Sequence, residues 1–227
     1  MFSDLETTLQ VVVALCLGVG LSSACGFRVF LPMLGMSIGA KIGWMDVSSG
    51  FEWLGSWPAI ILLSVATVAE IGAYFFPWVD NLLDTVATPA AVIAGVIVVA
   101  ASLIEVGPWV KWSVAAIAGG GSAGVIKAGM AFIRGGSTVT TGGVANPGVS
   151  FAEMIVAFLM TVLAMLLPVI AAIVAALLFF VCLRFAWRAW QRLRGRDGNA
   201  RSHLSGDSAP PMKGKPAGPD AVPPRVV

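Results

Sequence analysis

The sequence is poor in charge and has a single histidine, and these shortages exclude much of the usual chemistry of enzymes. Charged residues make up 11% of the chain, against about 25% in soluble domains. The histidine, His203, lies in a Pro-, Gly- and Ser-rich tail, and the three cysteines have no metal-ligand spacing. The sequence contains no catalytic-triad, zinc or phosphate-loop motif. We therefore expect no cofactor, and an enzyme is the less favoured interpretation.

Apolar side chains dominate instead. Hydrophobic residues make up 58% of the 227 residues, and the mean hydropathy is +0.90, which is typical of an integral membrane protein. The apolar runs predict an all-α, polytopic transmembrane helical bundle of five to six spans. This domain is expected to cover residues 9–190, after an N-terminal flank of residues 1–8.

Charge is distributed unevenly along the chain. Residues 1–183 hold five Lys or Arg and nine Asp or Glu, whereas residues 184–227 hold nine and three. Because positive charge resists translocation, this asymmetry predicts a cytoplasmic C-terminus. Residues 191–227 are basic and Pro- and Gly-rich, so we expect a disordered cytoplasmic tail. Its expected partner is the lipid bilayer, and nucleic acid is not expected.

The first apolar run, Val11 to Ile42, is longer than the roughly 20 residues that one crossing needs. It contains Gly26, Arg28 and Pro32, which predict a break. Either two short spans meet there, or one full span is followed by a re-entrant half-helix. An odd number of crossings leaves the acidic N-terminus outside, which favours five spans over six.

A helix from about Ala118 carries cations into apolar sequence. Small and cationic residues recur at helical spacing on one face, and apolar side chains mark the opposite face. A cation on such a face is directed to protein or water and away from lipid. The small and cationic face holds Gly120, Gly124, Lys127, Ala131 and Arg134, and the opposite face holds Val125, Ile126, Phe132 and Ile133.

Turn residues follow this helix. Residues Gly135 to Gly148 are predicted as a polar connection that ends in an Asn-Pro-Gly turn. Ser150 and Glu153 have the spacing of a capping box, which predicts the start of the last long apolar run. Pro168 is expected to kink that run.

Three stretches carry a family resemblance: GLSSACGFRVFLP (Gly20 to Pro32), SWPAIILLSVATVAEIGAYFFPWVDNLLD (Ser56 to Asp84) and TTGGVANPGVSFAE (Thr140 to Glu153). They resemble the bacterial membrane family catalogued as domain of unknown function 4126, over roughly residues 9–185. The resemblance implies a multi-pass bacterial membrane protein, which we expect in the inner membrane, and it carries no settled activity. It also implies that five polar side chains occupy motif positions: Arg28, Glu70, Asp80, Asp84 and Asn146.

Ionisable side chains inside apolar runs cost at least about 2.5–3.5 kcal/mol each on the insertion scale, so they mark the candidate site. Arg28, Lys127 and Arg134 would attract an anion, and Glu70 would gain and lose a proton. Asn146 completes the set of expected substrate-binding residues. A competing interpretation is that Glu70 only neutralises Arg28 or Lys127 as the bundle assembles.

Three functions remain open from the sequence. The first is a small transporter or permease-like protein for an anionic or amphiphilic solute. The second is a non-transporting membrane scaffold or assembly protein, with a homo-oligomer formed through Gly-rich helix faces. The third is a membrane-embedded lipid-phosphate enzyme at Asp80 and Asp84, which lie one turn apart and are weak metal candidates because no histidine accompanies them.

Overall fold

The computed structural model describes residues 2–73, 77–104, 106–142 and 144–206, and side chains 2–4, 77–85, 189, 190 and 192–206 lie outside that description. Within the described residues the regular elements are helices, and the predicted all-α fold is confirmed. The elements are α1 (Phe2–Phe27), α2 (Phe30–Lys41), a 3₁₀ turn (Glu52–Gly55), α3 (Trp57–Ala73), α4 (Pro77–Ser102), α5 (Pro108–Val114), a π-helix (Ala115–Gly120), α6 (Gly121–Thr141), α7 (Asn146–Leu166) and α8 (Pro168–Gly206).

Several of these helices are long and apolar enough to cross a membrane. By length and composition, the described residues contain four such helices and two shorter apolar ones, which agrees with the prediction of five to six spans. The four are Leu5–Phe27, Pro108–Thr141, Asn146–Leu166 and Pro168–Arg188, and the shorter two are Trp57–Ala73 and Val86–Ser102.

The chain divides into two compact units, Met1–Trp187 and Arg188–Val227. The first unit contains the site described below. In the second unit, the described residues are helical as far as Gly206. The disordered tail expected over residues 191–227 stays a prediction, because residues 207–227 lie outside the described part of the chain.

The first apolar run is broken, as predicted, between Phe27 and Phe30. Near the end of α1, Arg28 contacts Ser150 of α7, whereas farther back a Cβ at Gly20 would lie 3.0 Å from the Cβ of Ala164. Helices α1 and α7 are therefore antiparallel.

Helix α2 returns along α1. A Cβ at Gly35 would lie 2.6 Å from Thr161 of α7, and one at Gly39 would lie 2.6 Å from Met165, so α2 runs in the same direction as α7. Its 12 residues cover about 18 Å, well short of a bilayer core of roughly 30 Å. The two helices form a re-entrant hairpin, and we call Arg28 and Val29 its tip.

The central helices approach one another at glycines. A Cβ at Gly119 would lie against the carbonyl of Gly95 in α4, and one at Gly26 would come within 2.8 Å of the Ala123 carbonyl oxygen. Close backbone approach at small residues is typical of helix packing in membranes. At these positions the Gly-rich faces make contacts within the chain.

The π-helix lies in the middle of the long helical stretch Pro108–Thr141. The hydroxyl of Ser22 in α1 donates to the carbonyl of Gly119 at 2.6 Å and lies 3.0 Å from the hydroxyl of Ser122. A π-helix disturbs the regular backbone hydrogen bonds, and buried carbonyls need a donor. Ser22 supplies that donor and fastens the π-helix to α1.

Helix α6 buries Lys127 and Arg134, whereas Ala131 on the same predicted face is exposed. Ile126, which was expected on the opposite face, is fully buried, so that part of the prediction is wrong. The reason is that Gly26 of α1 has no side chain: a Cβ there would lie 2.8 Å from the Cβ of Ile126. The space that this glycine leaves is filled by Ile126.

The connection between α6 and α7 is shorter than predicted. Helix α6 continues to Thr141, Gly142 ends it with φ +64°, and α7 already begins at Asn146 with a proline in its first turn. The predicted connection from Gly135 to Gly148 is therefore mostly helical. The predicted capping box of Ser150 and Glu153 is wrong, because both residues lie inside α7.

Pro168 interrupts the last apolar run, as predicted. Helix α7 ends at Leu166, Leu167 is non-helical with φ −137° and ψ 70°, and α8 begins at Pro168. Proline cannot donate the backbone hydrogen bond that would continue α7.

We expect Gly119→Ala to lower the free energy of unfolding by about 1–3 kcal/mol, because the added methyl group would meet backbone that has no freedom to move aside. The matched control is Gly136→Ala, where no atom lies within 4 Å of the new Cβ. Thermal unfolding in detergent micelles measures both variants. Equal stability of the two would contradict the close packing at Gly119.

Candidate functional site

The hairpin tip is capped by a carboxylate from another helix. Glu70 of α3 accepts the backbone N–H of Val29 at 2.9 Å through Oε1 and that of Phe30 at 3.2 Å through Oε2. The first N–H groups of a helix have no partner within it, and the positive end of the helix dipole favours an anion there. Glu70 therefore satisfies and neutralises the start of α2.

Arg28 joins the same tip to α7. Its Nη2 donates to the carbonyl oxygen of Ser150 at 2.7 Å, and its side chain is buried. A guanidinium presents up to five donors in one plane, so a single arginine can bridge several backbone and side-chain acceptors. Through Arg28 and Glu70, the tip connects α3 with α7.

An ion pair lies one turn beyond Ser150 along α7. Arg134 of α6 donates through Nε to Oε1 of Glu153 at 3.0 Å and through Nη2 to Oε2. This is the paired geometry in which arginine binds carboxylates most strongly. The sequence analysis missed the pair because it assigned Glu153 to a helix cap. Its place within the candidate span Asn146–Leu166 was the signal that pointed to a partner.

The remaining predicted substrate-binding residues, Lys127 and Asn146, lie in different surroundings. Lys127 is buried on α6, two turns before Arg134. Asn146 lies at the start of α7, where its Nδ2 donates to the hydroxyl of Thr138 at 3.0 Å. Asn146 therefore ties the ends of α6 and α7 together.

The metal candidates Asp80 and Asp84 have side chains outside the described part of the structure. Their backbone belongs to α4, which continues through Pro89 to Ser102. Within the described residues, no group of three His, Cys, Asp or Glu side chains is arranged to hold a metal ion.

Most of the buried charged side chains form a polar layer inside an apolar bundle, whereas Lys111, which is also buried, lies on α5 beside Ser48. Five ionisable side chains, each at most 6% exposed, contribute three positive and two negative charges from the tip, α3, α6 and α7. Burying a charge is costly unless it is paired and hydrogen-bonded. Direct contacts link the tip to Glu70 and Ser150, and Arg134 to Glu153. The members of this polar layer are Arg28, Glu70, Lys127, Arg134 and Glu153.

The model of one protein family, described as Domain of unknown function (DUF4126), matches residues 15–188. The chain belongs to this family. The comparisons with curated proteins and with solved structures gave no match. The matched region of this DUF4126 protein includes the whole polar layer and the re-entrant hairpin from residue 15 onward. With its several apolar helices, the DUF4126 chain is a membrane protein.

We expect Glu153→Ala to lower the free energy of unfolding of the DUF4126 protein by about 3–5 kcal/mol, because it leaves the buried guanidinium of Arg134 without its carboxylate. The double variant Arg134→Met, Glu153→Leu removes both charges and should recover part of this loss. Denaturant unfolding of the two variants and the wild type provides the measurement. A double variant that is less stable than Glu153→Ala would argue against a pairwise role for these residues.

Proposed function

We propose that this protein is a small transporter or permease-like protein for an anionic or amphiphilic solute. The observation that supports this most is the interrupted hairpin, whose tip is buried in the bundle and capped by Glu70. Irregular backbone at membrane depth is tolerated where protein or a water-filled cavity surrounds it. In secondary transporters, interrupted helices of this kind form the sites for solutes and ions.

The charge of the polar layer favours an anion. Its described members comprise the cations Arg28, Lys127 and Arg134 and the carboxylates Glu70 and Glu153. An incoming anion would find guanidinium donors and the start of α2, which are the groups that helix ends and arginines use for carboxylate and phosphate. We therefore infer that the solute binds against the tip, from the side of Lys127 and Arg134.

Glu70 is the residue through which proton movement would be coupled to solute movement. While it is ionised, its carboxylate occupies the N–H groups of Val29 and Phe30. Protonation would remove its negative charge and weaken both bonds, since hydrogen bonds to ionised acceptors are roughly twice as strong as neutral ones. The start of α2 would then become available to the solute anion.

We infer the orientation from the distribution of charge. The basic residues that follow Leu183 favour a cytoplasmic C-terminus, and the acidic first residues favour an external N-terminus. We propose that the chain lies in the bacterial inner membrane in this orientation. Residues 191–227 would then form the cytoplasmic tail.

A scaffold without transport activity is the second candidate. Its support is that Arg134 and Glu153 neutralise each other, which bundle assembly alone would explain. In addition, a Cβ added at Gly135 or Gly136 on α6 would have no neighbouring atom within 4 Å. This open glycine surface would accept a second helix, from another copy or from a partner protein.

Proton flux into proteoliposomes tests the transport proposal. Entrapped pyranine would report the internal pH while phosphate, sulfate and glutamate are added outside in separate runs. We expect the wild type to show a flux that depends on at least one anion. We expect Glu70→Gln, which keeps the shape of the side chain and loses its charge, to lower that flux at least about 10-fold, the effect of roughly 1.4 kcal/mol.

Glu6→Gln is the matched control, because Glu6 is an exposed acid in the first turns of α1. Size-exclusion profiles and helical circular dichroism establish that each variant is folded. A folded Glu70→Gln with wild-type flux would refute the role of Glu70. Absence of any anion-dependent flux in the folded wild type would favour the scaffold.

A further inference from the structure

A cavity of about 400 Å³ lies outside the polar layer. It is bounded by the first half of α1, the loop that follows α2 and the residues that follow α4. Its volume is within the range of about 300–1,000 Å³ that is typical of small-molecule sites. Among the described residues, the lining consists of Gln10, Val11, Ala14, Asp46 and Ile104.

The loop that carries Asp46 is held in place by contacts to the neighbouring helices. The backbone N–H of Ser48 donates to the carbonyl of Ala101 at 2.7 Å, and the Ser48 hydroxyl accepts a hydrogen bond from Nζ of Lys111, also at 2.7 Å. Lys111 in addition lies over the ring of Phe51, 5.9 Å from its centroid. The wall of the cavity therefore has a fixed position relative to α4 and α5.

The described lining, in which Asp46, Gln10 and Ile104 are exposed at the surface, combines the carboxylate of Asp46 with apolar side chains. Asp46 offers a carboxylate and Gln10 a carboxamide, whereas Val11, Ala14 and Ile104 offer only hydrocarbon. A carboxylate accepts hydrogen bonds and attracts a cation, and an amide oxygen accepts a further bond. Within the described lining no cationic side chain opposes this charge. The cavity thus suits a ligand with a positively charged head and a short apolar body.

We propose that this cavity is a binding site for an ammonium-bearing amphiphile, with the ammonium group held by Asp46 and Gln10. The proposal does not depend on the transport function, since the polar layer is built for anions from other residues. An ammonium group is present both in free amines and in the headgroup of phosphatidylethanolamine.

The surroundings allow both sources of the ligand. Trp44 is exposed on the loop that contains Asp46, Trp53 on the 3₁₀ turn that follows it, and Trp109 at the start of α5. Tryptophans are enriched at the level of the lipid headgroups in membrane proteins, so these exposed side chains indicate that depth. A ligand reaches a cavity at this depth either from water or from the bilayer.

Binding is tested on the full chain in nanodiscs of phosphatidylglycerol, which contain no ammonium headgroup. Isothermal titration with benzylammonium, corrected with empty nanodiscs, should give saturable binding, and benzyl alcohol of the same shape should give none. We expect Asp46→Asn to weaken binding roughly fivefold, as for an ion pair of about 1 kcal/mol. We expect Ala14→Phe, which fills the cavity, to abolish binding.

Glu52→Gln is the matched control, because Glu52 is an exposed acid at the start of the 3₁₀ turn that follows this loop, and its carboxylate accepts the N–H of Gly50. It should bind benzylammonium like the wild type. Wild-type affinity in folded Asp46→Asn or in folded Ala14→Phe would overturn the proposal, and so would equal binding of benzyl alcohol.

A second measurement identifies the source of the ligand. The protein is purified from mixed phosphatidylethanolamine and phosphatidylglycerol, and its retained lipid is counted by native mass spectrometry. Retention of phosphatidylethanolamine that is lost in Asp46→Asn would identify a lipid headgroup. Binding of benzylammonium without such retention would identify a free amine, and neither result would alter the conclusion about transport.

Discussion

Two backbone hydrogen bonds to Glu70, one from Val29 at the hairpin tip and one from Phe30 at the start of α2, set the arrangement on which the rest of this bundle depends. A chain that turns back inside an apolar environment leaves N–H groups exposed at the start of the returning helix, and water is not available there to satisfy them. A carboxylate from α3 meets that need. It also places a negative charge beside Arg28, so the turn and the charged site are one structure.

The polar layer depends on the close helix contacts at glycines. Because Gly26 of α1 has no side chain, α6 approaches so closely that a Cβ at Gly26 would meet the carbonyl of Ala123 and the side chain of Ile126, the residue before Lys127. Longer side chains on α1 would hold α6 away. Close packing of α1 against α6 at Gly26 therefore allows the charged side chains of the neighbouring polar layer to be buried.

The sequence predicted what depends on local chemistry and missed what depends on partners. Hydropathy and helix-breaking residues were sufficient for the break near Arg28 and for the interruption at Pro168, because both follow from the residues at the break itself. Neither hydropathy nor helix-breaking residues revealed that Glu70 accepts backbone hydrogen bonds from the start of α2, or that Glu153 pairs with Arg134. Both contacts join residues of different helices, 41 and 19 positions apart in the sequence. A local motif for Glu153 was misleading, because the same spacing occurs inside a helix as well as at its start.

The π-helix has a consequence for the direction of the cations. A π-helical turn accommodates one residue more than an α-helical turn, and one residue corresponds to about 100° of rotation around a helix axis. Everything after Gly120 is therefore turned by that angle relative to an uninterrupted continuation of α5. The extra residue of the π-helix therefore turns Lys127 and Arg134 towards the interior of the bundle. The Ser22 hydroxyl binds the backbone carbonyl of Gly119 within this π-helix.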